Sequence, residues 1–162
     1  MTDDGIAFAL LPLDRLRAHE RVDPEKVRHL VRELRRTGIF VHPIWVSRGT
    51  DVILNGHHRV AALRHLGALR VPAYVVDYDS DLVRLERWTP GPPISKAEVV
   101  RRARASELFP VQTTRHRFSA ELPPRPTPIA ELLEPAIDPT PVAQRRRSGA
   151  TRGSRSRSSP PG

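Results

Sequence analysis

Leu54-Asn55-Gly56-His57-His58-Arg59 is the stretch whose reading decides the fold. Asp51–Leu54 before it is short and apolar and reads as a strand. About Arg59–Leu66 after it reads as a helix, with Gly67 just past its end. A strand that passes through glycine into a helix aims the first free N–H groups of that helix, and the positive end of its dipole, at whatever occupies the turn. Glycine permits close backbone approach and positive φ. Two imidazoles and a guanidinium add donors, and a guanidinium grips phosphate bidentately. The turn therefore reads as a phosphate site. The same residues would also suit an exposed polar turn, and His57 with His58 would suit a metal only if further ligands converged there.

Outward from this turn, the chain alternates strand and helix signals. Ala7–Leu13 is an apolar strand ended by Asp14, and a loop carrying His19 and Glu20 follows. Asp23-Pro24 starts a helix, with an aspartate N-cap and proline at the first helical position. Val27, Leu30, Val31 and Leu34 repeat at helical spacing up to Gly38. Pro43–Ser47 is a short strand, Arg48-Gly49-Thr50 a turn, and Val71–Tyr78 another strand. Ser95 with Glu98 forms a capping box for a third helix. Phe109–Phe118 is expected to be irregular. The order is β-α-β-β-α-β-(β)-α, a compact α/β or α+β domain over residues 5–120.

Composition bounds the chemistry. There is no cysteine, which excludes disulfides, zinc thiolates and cysteine nucleophiles. No apolar run approaches the length of a membrane span. The acidic start, Met1-Thr2-Asp3-Asp4, lacks a signal-peptide charge pattern, so a cytoplasmic protein is expected. The formal net charge is +9, but six arginines after residue 144 stand in a stretch without acids, and subtracting them leaves +3. Thirteen of the 17 prolines lie at or beyond residue 90. Residues 121–141 read as a proline-rich extension. Residues 142–162 are rich in Arg, Ser, Gly and Pro, and are expected to be a disordered basic tail. That tail is a candidate contact for nucleic acid or for a partner protein.

The central turn resembles the Leu-Asp-Gly-His-His-Arg motif of the free L-serine kinases, a family within the ParB/sulfiredoxin superfamily. Three further matches follow the family's order. The first is His19-Glu20 with Val22-Asp23-Pro24, and the second is Trp88 followed by Ser95-Lys96-Ala97-Glu98-Val99-Val100. The third is Phe109-Pro110 with Thr113-Thr114-Arg115-His116. Leu122–Leu133 is similar to the family's C-terminal part, so the resemblance spans about residues 8–135. It implies an α+β domain of ParB/sulfiredoxin type, with a small mixed sheet and about three helices. It implies transfer of a phosphoryl group from ADP or ATP, with Mg²⁺, to free L-serine. Carried over residue by residue, Glu20, Asn55 and His57 are catalytic candidates. Gly56, His57, His58 and Arg59 would bind the phosphate. Trp88, Thr113, Thr114, Arg115 and His116 would line the serine pocket. Metal ligands are not identified from the sequence.

The chain departs from the family pattern at two places. Asn55 stands where the family has aspartate, keeping the shape and one acceptor but losing the charge. Gln112 stands where many relatives have lysine. A nucleotide-binding ParB-like regulator, or a degenerate kinase acting as sensor or scaffold, is therefore the competing reading. Specific DNA binding is not expected, because residues 120–162 offer no helix-turn-helix. Sulfiredoxin-type chemistry requires the cysteine this chain lacks. Oligomeric state is not readable.

Overall fold

The computed structural model describes residues 5–134. The expected disordered tail, 142–162, lies outside the described residues. The strands are β1 (Ile6–Pro12), β2 (Ile39–Phe40), β3 (Ile44–Ser47), β4 (Ile53–Asn55), β5 (Arg70–Val76), β6 (Val83–Arg87), β7 (Thr114–Phe118) and β8 (Thr127–Pro128). The helices are α1 (Pro24–Thr37), α2 (His57–His65), α3 (Lys96–Ala105) and the single turn α4 (Ile129–Leu132). The fold is α+β, as expected, with one short helix more than the sequence suggests.

A four-stranded mixed sheet, in the order β1-β5-β3-β4, forms the centre. β5 pairs antiparallel with β1 (Ala9 opposite Ala73) and parallel with β3 (Trp45 opposite Tyr74). Apolar layers cover both faces, so the inner strands are apolar at successive positions. On β4 and the residue before it, Ile53 enters one layer, and Val52 and Leu54 enter the other. On β5, Val71 and Ala73 enter the first layer, while Tyr74 and Val76 enter the second. One layer packs under Phe40, Val60 and Leu63, the other under Val99, Ala103 and Phe109.

The helix signals have their expected physical basis. The Asp23 side chain accepts from Glu25 N, Pro24 occupies the first turn of α1, and Gly38 closes the helix in the left-handed region at φ 72°. At α3, Ser95 accepts from Glu98 N at 3.1 Å. The Glu98 carboxylate turns to Arg101 and Arg102 instead, so only half of the capping box forms.

Two expectations change. α2 begins at His57, two residues earlier than about Arg59, because Gly56 itself takes the N-cap position. Residues 114–118 are not irregular: β7 pairs antiparallel with β6, with Leu85 opposite His116 and Arg87 opposite Thr114. The inward positions of β7 are polar, Thr114 and His116, so the strand carries no apolar alternation.

The chain past residue 120 returns to the body. The Tyr74 hydroxyl donates to Pro123 O at 2.8 Å, and Arg125 N donates to Val41 O at 3.0 Å. β8 pairs with β2, and Leu132 is wholly buried beside Phe40 in the first layer. No helix among the described residues is long and apolar enough to cross a membrane. Leu132→Ala is expected to cost about 2–5 kcal/mol by leaving a cavity in that layer. Urea denaturation of the full chain measures it, and a loss below about 1 kcal/mol would show that the segment adds nothing to the core.

Candidate active site

The turn between β4 and α2 is held by close packing. Gly56 has φ 114°, and a Cβ there would collide with Ile44 Cγ2 and lie 2.9 Å from Ile44 Cβ. Only glycine fits. Its carbonyl accepts from Val60 N at 2.9 Å, the first bond of α2, and no side chain caps the helix. The first-turn N–H groups are therefore open to a ligand.

The side chains of this turn are more committed than the sequence suggests. Arg59 donates through Nη1 to the carbonyls of His42 and Pro43, and through Nη2 to Asn55 Oδ1 at 2.9 Å. It braces the turn against the chain ahead of β3 and keeps only part of its fork for a ligand. Burial lowers its pKa to about 10, so it remains charged at neutral pH. His58 Nε2 accepts from Asp23 N at 2.9 Å, tying α2 to the cap of α1. His57 Nε2 accepts from His19 N at 3.1 Å. Both Nε2 atoms are thus occupied, which argues against this pair as a metal site. Among the described residues no group of three or more His, Cys, Asp or Glu side chains is arranged to hold a metal.

Glu20 faces this turn from the loop before α1. It is buried, and its Oε2 accepts from Thr113 N (3.0 Å), Thr114 N (2.7 Å) and Thr114 Oγ1 (2.8 Å). Backbone bonds on either side, Phe109 N to His19 O and Arg21 N to Phe109 O, fix this loop to the segment leading into β7. Oε1 makes no hydrogen bond among the described residues and is left for the cavity that Glu20 lines.

Behind Glu20 lies a buried cluster of three histidines. The His19 ring stands edge-on to His57, with centroids 4.5 Å apart, and to His116 at 5.6 Å. Because the Thr114 hydroxyl gives its proton to Glu20, it accepts from His19 Nε2 at 3.0 Å. The Tyr78 hydroxyl, kept protonated by burial and by Asp79, meets His116 Nε2 at 2.7 Å. All three imidazoles are neutral. Burial lowers His19 to about 4, with the Ile53 backbone opposing. Burial, helped by the neighbouring His19 and by the Lys96 ammonium, lowers His116 to about 3. Burial and the neighbouring histidines hold His57 well below its ordinary value.

These elements enclose a cavity of about 670 Å³. Its lining includes every catalytic, phosphate-binding and serine-pocket candidate except Thr113, which sits behind Glu20 and bonds it through the backbone. Trp88 is half exposed at the rim, and the Arg115 guanidinium lies 4.4 Å from its ring centroid, a cation–π contact. The sequence reading missed Leu30, Trp45, Arg117 and Phe118. Trp45 is opposite Asn55 on β3, so the pairing register would have revealed it, and register is not readable from one sequence.

Against known families, the ParB N-terminal domain model matches residues 5–86, about half the chain. The chain belongs to the ParB N-terminal domain family. Among curated proteins, it is 30% identical over 120 residues to an ADP-dependent L-serine kinase of Thermococcus kodakarensis, covering 72% of this chain and 50% of that protein. It is 36% identical over 85 residues to an ATP-dependent L-serine kinase of Staphylothermus marinus, covering 50% of this chain and 34% of that protein. The chain thus spans half or less of the length of these relatives. A solved free serine kinase in complex with AMP superposes with a TM-score of 0.70 at 18% identity, covering 82% of this chain and 95% of that one. A C-terminally truncated SbnI from Staphylococcus aureus gives 0.69 at 14%, covering 90% and 96%. At these identities the superpositions show the ParB-like fold.

The neutral histidines make stability fall in acid. Each titrates near 6.5 when unfolded and lower when folded, so below pH 6.5 the unfolded chain binds more protons. Their contribution is complete above pH 6.5 and is lost on acidification toward about 4 for His19 and about 3 for His116. Each such group removes up to about 1.4 kcal/mol per pH unit in that window. Denaturation at pH 7.5, 6.0 and 5.0 is expected to show a steep decline; equal stability at all three would disprove the neutral cluster.

Proposed function

We propose that this cavity transfers a phosphoryl group from ADP or ATP to free L-serine. The observation that carries the reading is the division of labour at Glu20: Oε2 is pinned by three donors, and Oε1 is left toward the cavity that the phosphate turn also lines. The match to curated L-serine kinases supports the choice of substrates.

In this reading the first-turn N–H groups of α2, with the remaining donors of Arg59, hold the phosphates. The serine lies between Glu20 and the β6–β7 wall. Arg115 meets its carboxylate, Trp88 covers the rim, and Thr114 and His116 shape the floor. Thr113 serves by orienting Glu20, and His57 by bonding the backbone beside it. Glu20 Oε1 takes the proton from the serine hydroxyl. The serine oxygen then forms a bond to phosphorus as the P–O bond to the nucleotide breaks. The products are O-phospho-L-serine and AMP or ADP. Most of the catalysis is positioning and charge neutralisation, as phosphoryl transfer requires. A free amino acid and a nucleotide are cytoplasmic compounds, which agrees with the expected location.

Mg²⁺, implied by the resemblance, fits the protein's own donors poorly. A hard cation prefers several carboxylate or carbonyl oxygens. Here one carboxylate lines the cavity, with one oxygen committed, and Asn55 Oδ1 is taken by Arg59. No step above depends on a protein-held cation.

A second reading, nucleotide binding without turnover, is favoured by Asn55 alone. ³¹P NMR of the full chain with L-serine, and ADP or ATP in separate tubes, decides between them. A phosphoserine signal that Glu20→Gln lowers by about 10²–10⁴-fold is expected. Nucleotide binding with no phosphoserine from either donor would leave the second reading standing.

A further inference from the structure

Arg59 is a partly buried cation that faces no carboxylate. Its hydrogen bonds end on neutral acceptors: the carbonyls of His42 and Pro43, and the amide oxygen of Asn55. Among the described residues it has no ion pair. Burying a guanidinium without counter-charge is unfavourable, and folded proteins ordinarily pair such groups. The cavity wall does not supply the missing charge. Glu20 is its single carboxylate, and Glu20 spends Oε2 on Thr113 and Thr114. Two further arginines, Arg115 and Arg117, line the same cavity. The neighbouring histidines are held neutral.

Asn55 is the position that controls this balance. Its Oδ1 is 2.9 Å from Arg59 Nη2, so a carboxylate there would form an ion pair with Arg59 and offer a second hard ligand beside Glu20. The amide does neither. It accepts from Arg59 without neutralising it, and its NH₂ adds two donors at the entrance to α2.

We propose that the phosphates of the nucleotide are the counter-charge of Arg59, so that the site takes nucleotide without a protein-held divalent cation, and that Asn55 sets this preference. The inference rests on the kinase reading for the identity of the ligand but requires neither serine nor turnover. Arg59 keeps its Nε proton and one Nη2 proton for the phosphate once its three protein bonds are made. Together with the open N–H groups of α2 these form a wholly cationic and dipolar cradle. Such a cradle draws its strength from charge held by the fold, which a chelator does not remove.

The test is calorimetric titration of the full chain with ADP, once with Mg²⁺ and once with EDTA. The wild-type Kd is expected to agree within about threefold between the two buffers. Asn55→Asp, checked for an unchanged melting temperature, is expected to bind ADP at least about tenfold more weakly than wild type in EDTA and to recover when Mg²⁺ is added. Asn55→Ser, which stays neutral, is expected to keep the insensitivity to EDTA. A wild-type protein that binds ADP only with Mg²⁺ overturns the inference and leaves the kinase reading intact. So does an Asn55→Asp protein that binds as wild type in EDTA. Absence of binding in both buffers overturns the inference together with the nucleotide half of the kinase reading. The wild-type comparison needs no variant and stands if a substitution fails to fold.

Discussion

Three donors converge on one oxygen of Glu20, and the cavity exists because they do. Thr113 N, Thr114 N and Thr114 Oγ1 hold Oε2, drawing the loop before α1 onto the start of β7 across 93 residues of sequence. The parallel bridge between Glu20 and Phe109 continues the same seam. The clamp also settles which atom can act. With three donors directed at it, Oε2 has no open side from which to take a proton. Oε1 is left toward the cavity, and its direction is fixed by the anchoring of its partner.

The space behind the clamp is filled by histidine where an ordinary core would use leucine or phenylalanine. His19 links the two halves of the site directly. Its backbone N–H reaches His57 in the first turn of α2, and its ring reaches Thr114, which holds Glu20. A leucine would fill the volume but could not make the ring bond. Burial keeps these rings neutral, so the arrangement is polar without adding charge next to a phosphate site. The positive charge of the cavity comes instead from arginines and from the end of α2. That separation puts the arginine charge and the Glu20 carboxylate on different walls of the cavity.

Much of this was legible in the residues. The β4–Gly56–α2 turn follows from a glycine between an apolar run and a helix, and Asp23-Pro24 and Gly38 mark the limits of α1. Legibility ended where tertiary pairing overrode local pattern. β7 carries Thr114 and His116 inward, and polar inward positions erase the alternation by which a strand is recognised. Trp45 enters the cavity through its register opposite Asn55. Residue type, place at the turn and the family resemblance together mark Arg59 as a phosphate clamp. Its bonds to His42 and Pro43 depend on a chain approach that composition cannot encode.

The family match and the cavity do not have the same limits. Residues 5–86 contain Glu20 and the whole phosphate turn, whereas Trp88, Thr114, Arg115 and His116 lie beyond that match. The turn and Glu20 thus lie within the part common to the family, and the second wall lies outside it. Here that wall is β7 paired with β6, carrying Arg115 stacked on Trp88 at the rim and Thr114 clamped to the carboxylate. The second wall is thus a hairpin whose strand signal is faint. The wall opposite is a turn whose signal is strong, which is why it is legible in the chain before the hairpin that faces it.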